Sequence, residues 1–362
     1  MSIKQNTMNL LSERLKSARI MQGLSLQELA DKMDGFVSKQ ILSKYELGEA
    51  KPGSAVLIAL SKALAVRPDY FLRETKVELS GLEFRKLTRY PVKEKTKAIG
   101  QAQEMLERYF ELEEFLGIDS NFKNPIPDFR PIQNEKDIEE AAEMVRAMWG
   151  LGLKGPLGSV VEMLEDHEIK VVEIDVEEGF DGSQGFVNND KRLPVVVLNK
   201  VKEIPKDRTR FSALHELGHL VLNIPAETPL EIKEKWCHYF AGAMLMPRQA
   251  AEMEFGLKRS KILFKELGAV KQQYGISMQA LMMRLLSLGI VTKSYVSSFY
   301  FMMNQLGYRK VEPYLYEGKE NSGRFMQLLF RAVAEEIISI GKAASLNNQS
   351  IAEFQRDHLS IG

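Results

Sequence analysis

Two of the five histidines stand in the run His215-Glu216-Leu217-Gly218-His219. Residues four apart share one face of an α-helix, so His215 and His219 present their imidazoles to a single point. A zinc ion takes such nitrogens at about 2.0–2.1 Å, and this pair supplies two of its contacts. Glu216, adjacent to the first histidine, is badly placed to bind the same ion. It is well placed to take a proton from a water that such an ion acidifies. The chemistry to expect is zinc-dependent hydrolysis of a peptide bond, with Glu216 accepting the proton and passing it to the leaving amine. Two histidines on a core helix can also be purely structural. Here Leu214, Leu217, Leu220, Val221 and Leu222 flank them. They mark a buried helix whose polar triplet needs partners, and a metal ion provides them.

A catalytic zinc takes three protein ligands and keeps one position open. The following helix offers Glu231, Glu234 and His238 for the third. The lone Cys237 beside them reads as a small core residue. A donor to the developing oxyanion is also required, and Asn199, Tyr239 and Arg248 are the nearby candidates. The elements that must hold these groups are a helix at about 208–222, a second at about 230–245, and a small sheet before them. Ile169–Ile174 and Leu193–Leu198 are β-rich, with a glycine-punctuated stretch at 179–187 between them.

Arg208 through Leu222, together with Phe240-Ala241-Gly242-Ala243-Met244-Leu245-Met246-Pro247, resembles the ImmA/IrrE-type metallopeptidases. The strand Val195–Asn199 is similar to the family's strand leading into the metal helix, so the likeness covers about 170–250. These are small intracellular zinc peptidases often fused to regulatory DNA-binding domains. The resemblance implies that Glu234 is the third ligand, since Glu234, Phe240 and Ala241 match the family's glutamate, phenylalanine and alanine. Two positions depart from it: Cys237 replaces a usual alanine, and His238 replaces a usual asparagine or aspartate. His238 lies one helical turn after Glu234. It can orient His215 or His219 from behind, or compete for the metal.

The first 75 residues read as five short helices, at about 10–20, 25–33, 38–46, 56–64 and 66–72. Ser25 with Glu28 three residues on is a capping box. The second and third helices form a helix-turn-helix, whose later helix enters the DNA major groove. Gly23–Ala30 and Val37–Gly48, with Lys51-Pro52 following, resemble the Cro-like (XRE) repressor family. The turn Met33-Asp34-Gly35-Phe36-Val37 is about two residues longer than that family's usual form. The third helix offers Lys39, Gln40, Ser43 and Lys44 for DNA contact; they can equally be solvated polar residues. Residues 1–76 carry 12 Lys/Arg and 8 Asp/Glu, a mild positive surplus that permits DNA binding without requiring it.

At 362 residues the chain is too long for one typical domain, and its composition, 44% hydrophobic and 27% charged, is that of a globular protein. Net charge is zero, so any pull towards nucleic acid is local. A single cysteine cannot form an internal disulfide, Met1–Asn9 carry no secretory signal, and no run of about eighteen apolar residues exists. The expectation is a cytoplasmic protein without membrane partners.

The expected fold is multi-domain and mainly α. Residues 8–75 form a five-helix helix-turn-helix domain and 76–132 a helical linker, punctuated by Pro125, Pro127 and Pro131. Residues 133–255 form an α+β zincin-like peptidase domain with a small sheet, and 256–362 a helical C-terminal region. The expected partners are DNA and a repressor-like protein substrate, or the chain itself, with a homodimer among the expected states. The competing reading is a transcription factor or antitoxin-like binding protein whose zinc domain is only a sensor or structural module. Retention of Glu216 favours the peptidase, because a structural site has no use for a base beside its ligands.

Overall fold

A computed structural model describes residues 3–73, 77–80, 92–175, 180, 182–188, 192–200 and 204–359. Within them sixteen α-helices and one four-stranded sheet give the mainly helical, multi-part fold that the sequence implies.

The front unit comprises α1 (Ile3–Met21), α2 (Leu26–Lys32), α3 (Lys39–Glu46) and α4 (Ser54–Leu64). Its expected fifth helix is a 3₁₀ turn, Pro68–Leu72. Proline starts that turn, and Tyr70 and Phe71 are buried beneath it. Ser25 accepts a hydrogen bond from the Glu28 N–H at 3.1 Å while Glu28 accepts one from the Ser25 N–H at 2.6 Å, closing the capping box. Ser38 caps α3 through the Ile41 N–H. Leu15, Leu29, Leu42, Leu60 and Phe71 form the shared core.

Strand β1 (Glu78–Ser80) precedes α5 (Val92–Leu116), a helix that packs against α1, β1, β2 and, near the end of the chain, α14; residues 76 and 81–91 of the expected linker lie outside the described residues. Arg14 and Glu107 pair in a buried contact between α1 and α5. Further along, the linker prolines do not make a loose tether: Ile126, Phe129 and Ile132 are buried in the same core as the metal-site helices.

Then follow α6 (Glu135–Met148), α7 (Val160–Asp166), β2 (Lys170–Ile174), β3 (Gly182–Asn188) and β4 (Arg192–Asn199). The sheet order is β1-β3-β4-β2, with β2 parallel to β4 and the other pairs antiparallel. The Leu193–Leu198 run is apolar at every position because the sheet is covered on both faces. Val196 and Leu198 face the core of the metal-site helices, whereas Val195 and Val197 face α5. The glycine-punctuated stretch supplies β3, a strand that its composition conceals.

Helices α8 (Lys206–Val221) and α9 (Leu230–Leu245) pack against each other. α10 (Arg248–Phe255), α11 (Phe264–Tyr274), α12 (Met278–Ser287) and α13 (Lys293–Gln305) continue the same core as far as Met303. The chain then crosses back over this unit. Glu312 accepts from the Met278 and Gln279 N–H groups, at 2.7 and 3.0 Å, and pairs with Lys271. Glu320 accepts from the Val160 and Val161 N–H groups, at 2.9 and 3.2 Å, and pairs with Arg210. Two carboxylates thus satisfy the orphan donors of two helix starts, where negative charge also suits the helix dipole.

The last helices are α14 (Arg324–Ala334), α15 (Ile340–Leu346) and α16 (Ile351–Phe354). The pair α15–α16 repeats the local grammar of α2–α3. Ser339 and Ser350 cap its two helices, the second through a capping box with Glu353. Asn348, at φ 53°, turns the chain where Asp34, at φ 52°, does so in front. Buried Ala343, Ala344 and Phe354 occupy the places of Leu29, Ala30 and Leu42. This pair also abuts the front unit, with Arg67 donating to the Gln349 carbonyl at 2.6 Å.

Candidate metal centre and nucleic-acid surface

The distance between α8 and α9 is set by Gly218. A Cβ there would stand 3.2 Å from Phe240 Cδ1 and 3.4 Å from the Cα and Cβ of Cys237. Glycine on one helix and a small side chain on the other therefore let the two backbones approach closely. Cys237 is fully buried at this crossing, which accounts for a small residue there. The approach brings His215 and His219 on α8 up to Glu234 on α9. At the other side Gly182 begins β3 where a Cβ would lie 3.5 Å from Glu216 Cγ, so the strand passes directly beside that carboxylate's stem.

Donor atoms of three residues converge. His215 Nε2 and His219 Nε2 are 3.2 Å apart, His215 Nε2 and Glu234 Oε2 are 3.2 Å apart, and His219 Nε2 and Glu234 Oε1 are 3.3 Å apart. Donors about 2.0–2.1 Å from one tetrahedral ion stand roughly 3.3–3.4 Å from each other. Charge-assisted hydrogen bonds would be shorter, about 2.7–2.9 Å. The edges therefore fit a common ion, and two imidazoles with one carboxylate are a donor set suited to zinc. The two imidazoles, His215 first, hold the Glu234 carboxyl well below the usual carboxylate range, so it is ionised as a ligand must be. Glu216, 5% exposed, lies at the second position of the motif and outside this triangle.

His238 belongs to the neighbourhood but not to the triangle. Its Nδ1 lies 2.7 Å from the Glu234 carbonyl oxygen, one turn back on the same helix, so Nδ1 carries the proton and donates. Its ring centroid is 4.3 Å from that of His215. His215, Glu234 and His238 also bring one donor atom each within 4.8 Å of one another, a second candidate set around the same histidine and glutamate. His219 closes the tighter set.

The remaining candidates fall elsewhere. Glu231 is exposed on the first turn of α9. Asn199 is buried and donates to the Phe180 carbonyl at 2.8 Å. Tyr239 donates to Glu139 at 3.1 Å, and Glu139 is itself clasped by Arg284 at 2.6 and 2.7 Å. Arg248 adds positive charge beside that same Glu139.

Several residues that fix the site carry no local signature. Arg210, fully buried on α8, pairs with Glu320 and donates to the Gly158 and Leu157 carbonyls. It anchors the metal helix just upstream of His215. Gly182 and Gly218 act through what their missing side chains permit.

On the front unit, Lys39, Gln40 and Lys44 are exposed on α3 and Ser43 is half-buried. All four lie on the second helix of the pair. No described helix is long and apolar enough to cross a membrane.

A capped helix pair joined to a two-helix metal crossing defines a regulator-like front and a metallopeptidase-like body. Comparison with known proteins agrees. Residues 15–71 match the helix-turn-helix family model, and residues 164–286 match the IrrE N-terminal-like domain of the peptidase M78 family. A curated relative, the SPbeta prophage-derived uncharacterized HTH-type transcriptional regulator YonR of Bacillus subtilis (strain 168), is 36% identical over 69 residues. That alignment covers 19% of this chain and 62% of the relative. Residues 15–71 thus form a helix-turn-helix domain of the XRE type, and residues 164–286 an IrrE/ImmA-like peptidase-family domain.

Proposed function

We propose that the body of this protein is a working zinc peptidase of narrow specificity, which cleaves a repressor-like regulatory protein or the chain itself. His215, His219 and Glu234 would hold the metal. The observation that carries this reading is the convergence of His215, His219 and Glu234, with donor separations of 3.2, 3.2 and 3.3 Å, and a buried carboxylate, Glu216, next to His215 in sequence. When bound, zinc supplies Lewis-acid polarisation of a carbonyl and acidifies water. Glu216 accepts the proton of the attacking water and delivers it to the leaving amine. Its neighbours, β3 at Gly182 and the buried faces of α8, limit water around it, which keeps that carboxylate an effective base. His238 supports Glu234 by tying the α9 backbone behind it.

The front unit would bring this activity to an operator as a homodimer on two half-sites, with Lys39, Gln40, Ser43 and Lys44 at the DNA. Metal analysis of the purified chain tests the site: wild type should hold about one zinc and His215→Ala close to none. Glu216→Gln separates the peptidase from a sensor. It should keep the metal and lose cleavage; a Glu216→Gln chain that regulates its operator as wild type does, with no cleavage by either, would remove the enzyme reading.

A further inference from the structure

The turn between α2 and α3 presents an aromatic ring that the fold does not use. Asp34 at φ 52° and Gly35 at φ 71° are two successive left-handed residues, a conformation that only such short residues take readily. The reversal sends Val37 into the core, 6% exposed, and Phe36 outwards, 61% exposed. This is not a loose tip: the Gly35 N–H donates to the Ala30 carbonyl, the Phe36 N–H donates to the Met33 carbonyl at 2.9 Å, and Ser38 caps α3 directly afterwards. The ring is therefore held at the entrance of the helix that faces DNA. Ile41, 37% exposed, adds a second apolar group within the first turn of that helix.

What these groups meet follows from their setting. Lys39 and Lys44 bracket Ile41 in sequence on α3 and are exposed, so the surface suits a polyanion and not an apolar protein face. In the major groove the base edges offer hydrogen-bonding atoms and one apolar group, the 5-methyl of thymine. We propose that Phe36 and Ile41 read thymine methyl groups in each half-site, while the lysines and Gln40 supply polar contacts. The two extra residues of the turn are then a specificity device. This inference rests on the reading that α3 enters the major groove.

The full-length protein is used to select duplexes from a random library, and affinity is measured for the best duplex. Each thymine in it is then replaced by deoxyuridine, which keeps every hydrogen bond and removes the methyl. At one or two positions per half-site the wild type should lose affinity roughly fourfold, the worth of one buried methyl-sized group. Phe36→Ala or Ile41→Ala should abolish that difference at its own position while leaving the thermal midpoint unchanged, since both side chains are exposed. Phe36→Leu should retain part of it. Indifference of the wild type to deoxyuridine, or sensitivity that persists in both alanine variants, overturns the proposal with DNA binding intact. A Phe36→Ala chain with altered oligomeric state and unaltered duplex preference assigns the ring to a protein contact and overturns it as well. If no duplex is enriched and no salt-dependent DNA binding occurs, the DNA reading itself fails.

Discussion

Two helix pairs carry the functional groups of this chain, and they face opposite ways. In α8–α9 the groups converge inwards: His215 is 2% exposed, and its donor atom lies 3.2 Å from those of both His219 and Glu234. In α2–α3 the groups diverge outwards, with Lys39, Gln40, Lys44 and Phe36 all exposed. The inward pair is complete in one chain, because each donor has its geometry fixed by packing from Gly218, Cys237 and Arg210. The outward pair, on the proposed reading, is half of a site whose other half is DNA. Substitutions should therefore separate cleanly. Changes in α8–α9 should strike the fold, the metal or the chemistry, and changes at the exposed side chains of α2–α3 should strike binding alone.

The largest effects are expected at the inward pair. Glu216→Gln keeps shape and the donor triangle while removing the base, so cleavage should fall by about 10²–10⁴-fold with metal content unchanged. A single-turnover assay of cleavage of the chain itself or of a repressor-like protein reads this, and a loss of metal in that variant would mean that Glu216 helps to bind the ion. Gly218→Ala is more revealing, because it touches no donor. Its Cβ would meet Phe240 at 3.2 Å and Cys237 at 3.4 Å, so α8 and α9 must part by a few tenths of an ångström. Overpacking of this kind costs about 1–3 kcal/mol. The donor triangle should open with it, weakening zinc retention against a chelator. Lowered stability with unchanged zinc affinity would show that the crossing and the metal site are independent.

The sequence discloses these two pairs unequally. The nearness of His215 and His219 is legible because an i,i+4 histidine pair is a purely local geometric statement, and the choice of Glu234 as their partner comes from the resemblance. The serine caps at Ser25 and Ser38 are local too, and both fall where the composition places them. What escapes is whatever depends on distant partners. Glu312 and Glu320 cap helices that start 34 and 160 residues earlier in the chain, and no pattern near either glutamate announces it. Strand β3 escapes because Gly182 and Gly185 lower its apparent β-propensity, although a Cβ at Gly182 would press on Leu198 Cδ2 of the neighbouring strand at 3.3 Å. The likeness of α15–α16 to α2–α3 escapes because it lies in caps, backbone angles and buried positions, with few identical residues. Lys39, Gln40 and Lys44 are legible as exposed polar groups and no further, since base preference is a property of a complex and leaves no local pattern.

At the outward pair the expected effects are smaller and confined to binding. Lys39→Ala or Lys44→Ala should each lower the slope of log affinity against log salt by about 0.9 if the lysine meets a phosphate. Folding stability should stay within about 0.5 kcal/mol, as for other exposed positions. An unchanged slope with altered base preference would move that lysine from phosphate to a base edge. A loss of stability beyond that margin would break the contrast between the two pairs.

The smallest effects concern the caps beneath the recognition helix, where the outward pair has its own inward requirement. Ser25→Ala removes the acceptor for the Glu28 N–H and should cost about 1 kcal/mol of front-unit stability. Glu28 adds a pH dependence. The backbone N–H of Ser25, and after it Lys93, lower its carboxyl from 4.5 to about 2. A carboxylate with a depressed folded-state value stabilises the fold above its unfolded value and loses that contribution as pH falls through the folded one. Stability from Glu28 should therefore be complete above pH 4.5 and fade between there and about pH 2. Glu28→Gln should be the less stable chain at neutral pH, and its curve should meet the wild type's at the acid end. Denaturant titrations at a series of pH values read the difference. Parallel curves would mean that the Ser25 and Lys93 contacts hold the carboxyl no better than water does, and that the cap acts through the serine hydroxyl alone.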